Sequence, residues 1–263
     1  MNNFYKDQVK KYGYWWSGNY TSWEDAEKQS IGYSASNIAN QVKETLLITK
    51  DSIGTYELDG RVMKGVPNST INLLKWIKKS AIGKSINVID FGGSLGTTYY
   101  QLQSFLKDYN VRWNIIEQEN FVEIGKVTFE NDSLKFYKCI EDCLKDTTPN
   151  CFIASGSITY IEKPYDLLQS LEKYHFDWIM LDRISIITGD IDRLTIQITP
   201  LIIYEAIYPC WFLSENKLLK AMRNIGYSNV EAFNGDSSKY FTAVIENSLE
   251  RGFIFNHDCA HSG

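Results

Sequence analysis

The stretch 86–96 constrains the fold of this chain more than any other, because a strand-like run leads through one acid into clustered glycines. Three of the four residues 86–89, Ile86, Val88 and Ile89, are apolar and β-branched, a pattern typical of a strand buried on both faces. Asp90 follows, and then come Gly92, Gly93 and Gly96. Glycine is needed where the chain turns sharply, or where a ligand comes closer than a Cβ permits. The stretch therefore predicts a strand and a ligand-binding turn, with a helix from residue 97.

A second acid stands at a spacing that supports this interpretation. Residues 111–117 predict the next strand, and its last residue, Glu117, lies 21 residues after Gly96. In a βαβ unit this spacing places a carboxylate at the tip of the neighbouring strand, where it can accept hydrogen bonds from both hydroxyls of a ribose. The pair favours a nucleoside-containing ligand over a turn that is only structural.

Charge and composition exclude several classes of partner. The 263 residues carry a formal net charge of −5 and no basic run, so we expect no nucleic acid to bind. The five cysteines have no CxxC spacing and the first residues are polar, which predicts a reduced, cytoplasmic protein. The most apolar window, 199–213, is too short and too interrupted to span a membrane.

The order of elements predicts an α/β protein with a Rossmann-like, mostly parallel sheet of about seven strands and helices on both faces. We expect a helical amino-terminal extension over 1–82, a ligand-binding domain over 83–256 and a tail over 257–263. Strands are predicted at 86–90, 112–117, 134–138, 151–155, 177–182 and 229–234, with a last one at 240–245 or 251–255. Helices are predicted at 97–108, 119–127, 139–145, 164–174 and 214–225.

An acid two residues before the first glycine resembles the first motif of class I S-adenosylmethionine-dependent methyltransferases, although Ser94 replaces the expected middle glycine and Gly93 is added. The chain also resembles a family of methyltransferases encoded among cell-surface polysaccharide genes. The matching segments are 18–26, 32–33, 90–96, Trp113, 117–118, 155–164, Arg183 and 208–209. The resemblance implies a methyltransferase with S-adenosylmethionine as its donor.

The same resemblance assigns roles to the ends of the predicted strands. Asp90 would orient the methionine end of the donor, or it would only cap the following helix. The glycine loop would admit that end, and Glu117 would hold the ribose. The full donor-binding set is Asp90, Gly92, Gly93, Ser94, Gly96, Glu117, Gln118, Ser155 and Ser157.

The acceptor is expected to be a small molecule, a sugar-containing or phosphorylated precursor of a surface polysaccharide that is methylated on oxygen. A hydroxyl is a weak nucleophile until it loses its proton, so a general base would help by about 10² to 10⁴. The predicted catalytic residues are Asp182, Glu162 and Tyr160. The predicted acceptor-binding residues are Arg183, Tyr208, Trp16 and Tyr33. Arg183 either pairs with a carboxylate such as Asp182 or Glu162, or faces an anionic substrate.

Three further alternatives stay open. The aromatic residues of 12–33 form either a lid over the site or an ordinary packed layer. The glycine crevice would also suit an NAD(P)-dependent oxidoreductase, or a non-catalytic partner protein that binds the donor. The residues His257, Asp258, Cys259 and His261 fall in the predicted tail, so we predict no metal site.

Overall fold

The computed structural model describes residues 2–31, 36–52, 54–237, 241 and 243–258, with the backbone alone at 36 and 37. Its strands are β1 Trp15–Tyr20, β2 Thr55–Leu58, β3 Arg61–Lys64, β4 Ser85–Phe91, β5 Asn110–Ile116, β6 Leu134–Tyr137, β7 Cys151–Ser155, β8 Trp178–Ile187, β9 Arg193–Ile198, β10 Ile207–Ser214, β11 Tyr227–Asn234 and β12 Ser248–His257. Its helices are α1 Asn3–Tyr12, α2 Trp23–Glu27, α3 Ser36–Thr49, α4 Asn68–Lys79, α5 Thr97–Leu102, α6 Glu119–Thr128, α7 Ile140–Asp146, α8 Pro164–Ser170 and α9 Glu215–Asn224.

Seven strands form the central part of the sheet, in the order β6-β5-β4-β7-β8-β12-β11. The first five run parallel, while β12 is antiparallel to both β8 and β11. From β4 the chain builds outward to β5 and β6, then returns to place β7 on the other side of β4. This reversal opens a crevice at the carboxyl ends of β4 and β7, which is where open α/β sheets bind ligands.

Apolar residues on both faces of this sheet explain why these segments became strands. Val88, Trp113 and Met180 belong to one buried cluster, together with residues of α3 and α4. Ile89 and Phe152 belong to a second cluster on the opposite face. The sequence of a parallel strand that is covered on both faces is typically a nearly continuous apolar run. The predicted α/β architecture with a mostly parallel sheet is therefore confirmed.

The amino-terminal extension contains strands as well as helices, in contrast to the helical prediction for 1–82. β1 pairs with β9, β9 pairs with β10, and β10 joins the end of β8 through Leu213 and Ile186, so the whole sheet has ten strands. A separate hairpin is formed by β2 and β3, in the segment 51–64 whose glycines predict a loop or a short hairpin. β1 pairs with a segment distant in sequence, and local periodicity does not report such pairing.

Two boundaries also differ from the sequence prediction. β8 continues to Ile187, beyond the predicted end at 182, and β12 corresponds to the second of the two predicted positions for the last strand. His257, expected in a tail, is the last residue of β12. No helix in the described part of the chain is both long and apolar enough to cross a membrane.

Candidate functional site

The loop from β4 to α5 needs glycine for two separate reasons. Gly92 has a φ of +69°, a left-handed conformation that side chains disfavour, and a Cβ there would overlap the side chain of Ser157. Its N–H donates to the carbonyl of Ile116 at 2.8 Å, which fixes the loop to the end of β5. Gly96 has a φ of +97° and immediately precedes α5. Glycine at 92 therefore lets the loop pack directly against Ser157, and glycine at 96 lets the chain turn into α5.

Asp90 lies beneath this loop and is 1% exposed. Its Oδ2 accepts a hydrogen bond from Trp113 Nε1 at 2.9 Å, whereas its Oδ1 is buried without a hydrogen-bond partner. A Cβ on Gly93 would lie 2.6 Å from the Asp90 carboxyl carbon, so the loop packs directly on this carboxylate. Burial raises the pKa of Asp90 to about 6, against the opposing effects of Trp113 and Arg183. The predicted donor contact of Asp90 therefore depends on its unpartnered oxygen.

Glu117 reaches the glycine loop from the end of β5. Its Oε1 accepts the backbone N–H of Ser94 at 3.2 Å, and its Oε2 accepts the N–H of Gln118 at 2.7 Å. Burial raises the pKa of Glu117 to about 7, although both amide hydrogen bonds act in the opposite direction. Each carboxylate oxygen can accept more than one hydrogen bond, so both retain capacity for a ligand. The strand spacing read from the sequence thus brings this acid and the loop together.

The ends of β7 and β8 form the other wall of the crevice. Ser157 Oγ donates to the carbonyl of Phe91 at 2.7 Å and so joins this wall to β4. Ser155 Oγ donates to Asp182 Oδ2 at 2.9 Å and accepts from Arg183 Nε at 3.1 Å. Asp182 is 1% exposed, its Oδ1 has no partner, and burial raises its pKa. The two serines therefore position the wall, and Asp182 and Arg183 supply its charges.

The other two predicted catalytic residues, Tyr160 and Glu162, differ in their side-chain contacts. The Tyr160 hydroxyl donates to Gln197 Oε1 at 2.8 Å. The Tyr160 ring packs edge-on against the ring of Tyr208, with the two ring centroids 5.3 Å apart. Burial raises the pKa of Tyr160 well above 10, so its phenol serves as a hydrogen-bond donor at neutral pH. Glu162 is exposed, and only its carbonyl is bonded, to Trp211 Nε1 at 3.3 Å.

Trp16 and Tyr33 were both predicted to contact the acceptor. Trp16 is 7% exposed and packs in a core cluster against the rings of Phe212 and Phe241. This position accords with the packed-layer interpretation of the amino-terminal aromatics. Tyr33 lies outside the described residues.

The sequence analysis did not identify Glu57, a buried carboxylate of the β2–β3 hairpin. It is 2% exposed; Thr97 Oγ1 donates to its Oε2, and the N–H of Gly60 donates to its Oε1 at 2.8 Å. Burial raises the pKa of Glu57 to about 7. Thr97 is the first residue of α5, so the hairpin is attached to the end of the glycine loop. The available signal was the Asp59–Gly60 pair between two short β-type runs, which is typical of a two-residue hairpin turn.

The site thus combines a glycine-rich turn, a carboxylate on the adjacent strand and a second wall with one acid and one guanidinium. No group of three or more metal-ligating side chains is assembled anywhere in the described segments. The chemistry open to these residues is the binding of a nucleoside-containing ligand and the removal of a proton beside it.

No model of a protein family and no curated protein sequence matches the chain, whereas solved structures do. The N-terminal domain of EvdMO1, crystallised in the presence of SAH and D-fucose, aligns with a TM-score of 0.51 at 12% identity, over 84% of this chain and 96% of that chain. The CcbJ methyltransferase from Streptomyces caelestis aligns with a TM-score of 0.50 at 11% identity, over 84% of this chain and 96% of that chain. At these identities the likeness establishes the fold, and the chain shares with both structures a mixed α/β architecture built on a mostly parallel central sheet.

Proposed function

We propose that this protein is an S-adenosylmethionine-dependent methyltransferase. The observation that carries the proposal is the hydrogen bond from the Ser94 amide to Glu117, which puts a carboxylate beside a glycine loop at the point where the strand order reverses. A carboxylate in this position can accept hydrogen bonds from both hydroxyls of a ribose. The residues of the crevice fit this donor. Gly92 gives the loop its turn through a positive φ, Glu117 has spare capacity for two ribose hydroxyls, and Asp90 retains an unpartnered oxygen.

When bound, the donor supplies a methyl group that its sulfonium charge already activates, so the protein has mainly to align the reacting pair. The loop residues Gly92, Gly93, Ser94 and Gly96 would hold the methionine end, with Asp90 supporting them from below. Glu117 and Gln118 would hold the ribose. Ser155 and Ser157 would keep the second wall at a fixed distance from the loop.

We further propose an oxygen acceptor in a small, sugar-containing or phosphorylated precursor of a surface polysaccharide. The hydroxyl and amide groups of Tyr160, Tyr208 and Gln197 suit a polyol. Tyr160 donates to Gln197, and Tyr208 accepts from Thr199, which holds these groups in place. Among the three predicted catalytic residues, Asp182 is the best placed to accept the hydroxyl proton. Its buried Oδ1 has no partner, and its raised pKa brings it nearer to the range of an efficient base.

Calorimetric titration with S-adenosylhomocysteine (SAH), which is the donor without its methyl group, and with NAD tests the donor assignment. We expect SAH to bind and NAD to leave the heat signal unchanged. Binding of NAD alone would replace the methyltransferase by an oxidoreductase that uses the same crevice.

A second measurement separates an enzyme from a non-catalytic binding protein. Methyl-labelled donor is incubated with a panel of sugars, sugar 1-phosphates and nucleotide sugars, and transfer is counted. We expect label in at least one member of the panel, and its loss in Asp182→Asn with SAH affinity retained. SAH binding without transfer of label to any member of the panel would favour a non-catalytic protein that only binds the donor.

A further inference from the structure

The backbone of β8 is irregular at Arg183. The pairs Leu181 with Phe253 and Ile184 with Arg251 leave two residues of β8 opposite the single residue Gly252 of β12. This is a β-bulge, and Arg183 within it has a φ of +51°, in the left-handed region that side chains disfavour. Bulges re-aim side chains, and strained residues cluster at functional sites. The conformation of Arg183 therefore needs a reason beyond strand pairing.

The bulge directs the Arg183 side chain back onto the end of β7. Its Nε donates to Ser155 Oγ at 3.1 Å, and its Nη2 donates to the carbonyl of Ser155 at 3.2 Å. A Cβ on Gly156 would lie 3.1 Å from Nη2, so the guanidinium rests directly on a residue that has no side chain. Asp182 holds Ser155 Oγ from the other side. Three neighbouring residues, Ser155, Gly156 and Asp182, thus fix one orientation of the guanidinium.

The charge of this guanidinium is not matched by a direct partner. Arg183 forms no ion pair with any residue that the structure describes, and its Nη1 donates to none of them. Five carboxylates interact with Arg183 electrostatically, but each has other contacts. Asp182 accepts from Ser155, Glu250 accepts from the N–H of Ser237, Asp59 faces Arg61 at 3.9 Å, Glu57 accepts from Thr97 and Asp90 accepts from Trp113. Burial lowers the pKa of Arg183, but the carboxylates more than offset this effect, so the guanidinium stays charged while none of the described anions contacts it directly.

We propose that Arg183 is an anion-binding residue that receives a carboxylate or phosphate group of a ligand in the crevice. The fork of the guanidinium suits the two oxygens of either group. Ser155 and Gly156 end β7 beside the glycine loop, so the anion belongs to the ligand of that crevice. The donor offers such a group in its amino-acid end, and a uronic acid or sugar phosphate offers one in the acceptor. The identity of these two ligands rests on the proposed function, whereas the anion site itself does not.

The test compares wild type with Arg183→Met by titration calorimetry, with Arg223→Met as a control at an exposed helical arginine. SAH and 5′-methylthioadenosine, which lacks the amino-acid end, probe the donor. D-glucuronate and D-glucose 1-phosphate, each against D-glucose and with SAH saturating, probe the acceptor. Inorganic phosphate probes the site without either ligand. Circular dichroism verifies that the variants fold.

If the anion is the donor carboxylate, Arg183→Met loses about 10- to 100-fold in SAH affinity and binds 5′-methylthioadenosine as wild type does. If it belongs to the acceptor, SAH affinity is unchanged and the preference for the two acidic sugars over glucose disappears. Equal losses for SAH and 5′-methylthioadenosine would show a structural role and overturn the proposal, as would no change for any probe. If wild type binds neither SAH nor 5′-methylthioadenosine, the proposed function is overturned instead. The anion site is then tested by inorganic phosphate alone, which should bind to wild type and more weakly to Arg183→Met.

Discussion

Glu117 is the side chain through which the second strand of the sheet meets the glycine loop. Replacing it by alanine removes a carboxylate that would accept charge-assisted hydrogen bonds from the donor ribose. We expect Glu117→Ala to weaken SAH binding by about 1 to 3 kcal/mol, measured by titration calorimetry. The matched control is Glu119→Ala, because Glu119 is two residues away but is exposed and pairs with Lys138. Unchanged SAH affinity in the Glu117 variant would remove this residue from the site.

Among single residues, the sequence correctly predicted those that lie at the carboxyl ends of strands. Asp90, Glu117 and Ser155 follow buried apolar runs, and parallel strands bring their carboxyl ends to one edge. Arg183 was placed at the correct edge, but its left-handed backbone was not foreseen. That conformation depends on the register of β12, which lies about 70 residues further along the chain.

The β2–β3 hairpin is the element that the sequence analysis left without a function. Its turn residues Asp59 and Gly60 both have positive φ, as a tight two-residue hairpin requires. Gln41 and Thr45 of α3 donate to the carbonyl of Gly60 at 3.2 and 2.9 Å. Glu57 attaches the same hairpin to Thr97. The hairpin is thus fastened to α3 on one side and to the glycine loop on the other.

The contact of Glu57 with Thr97 should make the free energy of unfolding depend on pH, because burial raises the pKa of Glu57 from 4.5 to about 7. A group whose pKa is raised by folding stabilises the fold below its unfolded pKa, and that contribution is lost as the pH rises through the folded value. Ionisation of Glu57 therefore costs about 3 kcal/mol between pH 4.5 and 8. Glu57→Gln cannot ionise and should gain stability relative to wild type over this interval.

Urea unfolding at pH 5 and pH 8 measures the difference. Glu44→Gln serves as the control, since Glu44 lies on α3, the helix that contacts the hairpin, but its own side chain is exposed. If wild type and Glu57→Gln lose stability in parallel as the pH rises, Glu57 does not carry the effect. Glu117, whose pKa is also raised to about 7, would then be the next residue to replace.

The elements that sequence reasoning found and missed differ in how they are stabilised. β4, β5 and β7 are buried runs whose pattern is visible locally, and all three were predicted. β1 was not predicted, because it acquires its strand conformation by pairing with β9, about 180 residues further along the chain. Pairing at such separation is a tertiary effect, and single-sequence periodicity contains no trace of it.

Over the whole molecule, the amino-terminal extension and the sheet share their buried core. Ile38 and Leu73 of the extension belong to the same cluster as Trp113 and Met180 of the central strands. β1 adds the extension to the ten-stranded sheet itself. The predicted division near residue 82 is therefore crossed by both packing and strand pairing, and we expect the chain to unfold as one cooperative unit.

Trp16 offers the sharpest test of this expectation, because it lies on β1 and its ring centroid is 4.1 Å from that of Phe241 and 5.6 Å from that of Phe212. Trp16→Ala should lower the free energy of unfolding by about 3 to 5 kcal/mol, through lost burial and the cavity left behind. Tyr14→Ala, at a side chain that is 43% exposed, should change it far less. Unfolding followed by circular dichroism and by tryptophan fluorescence should shift together in the Trp16 variant. If the extension were an independent layer, the two signals would separate, with one transition displaced and the other left at the wild-type midpoint.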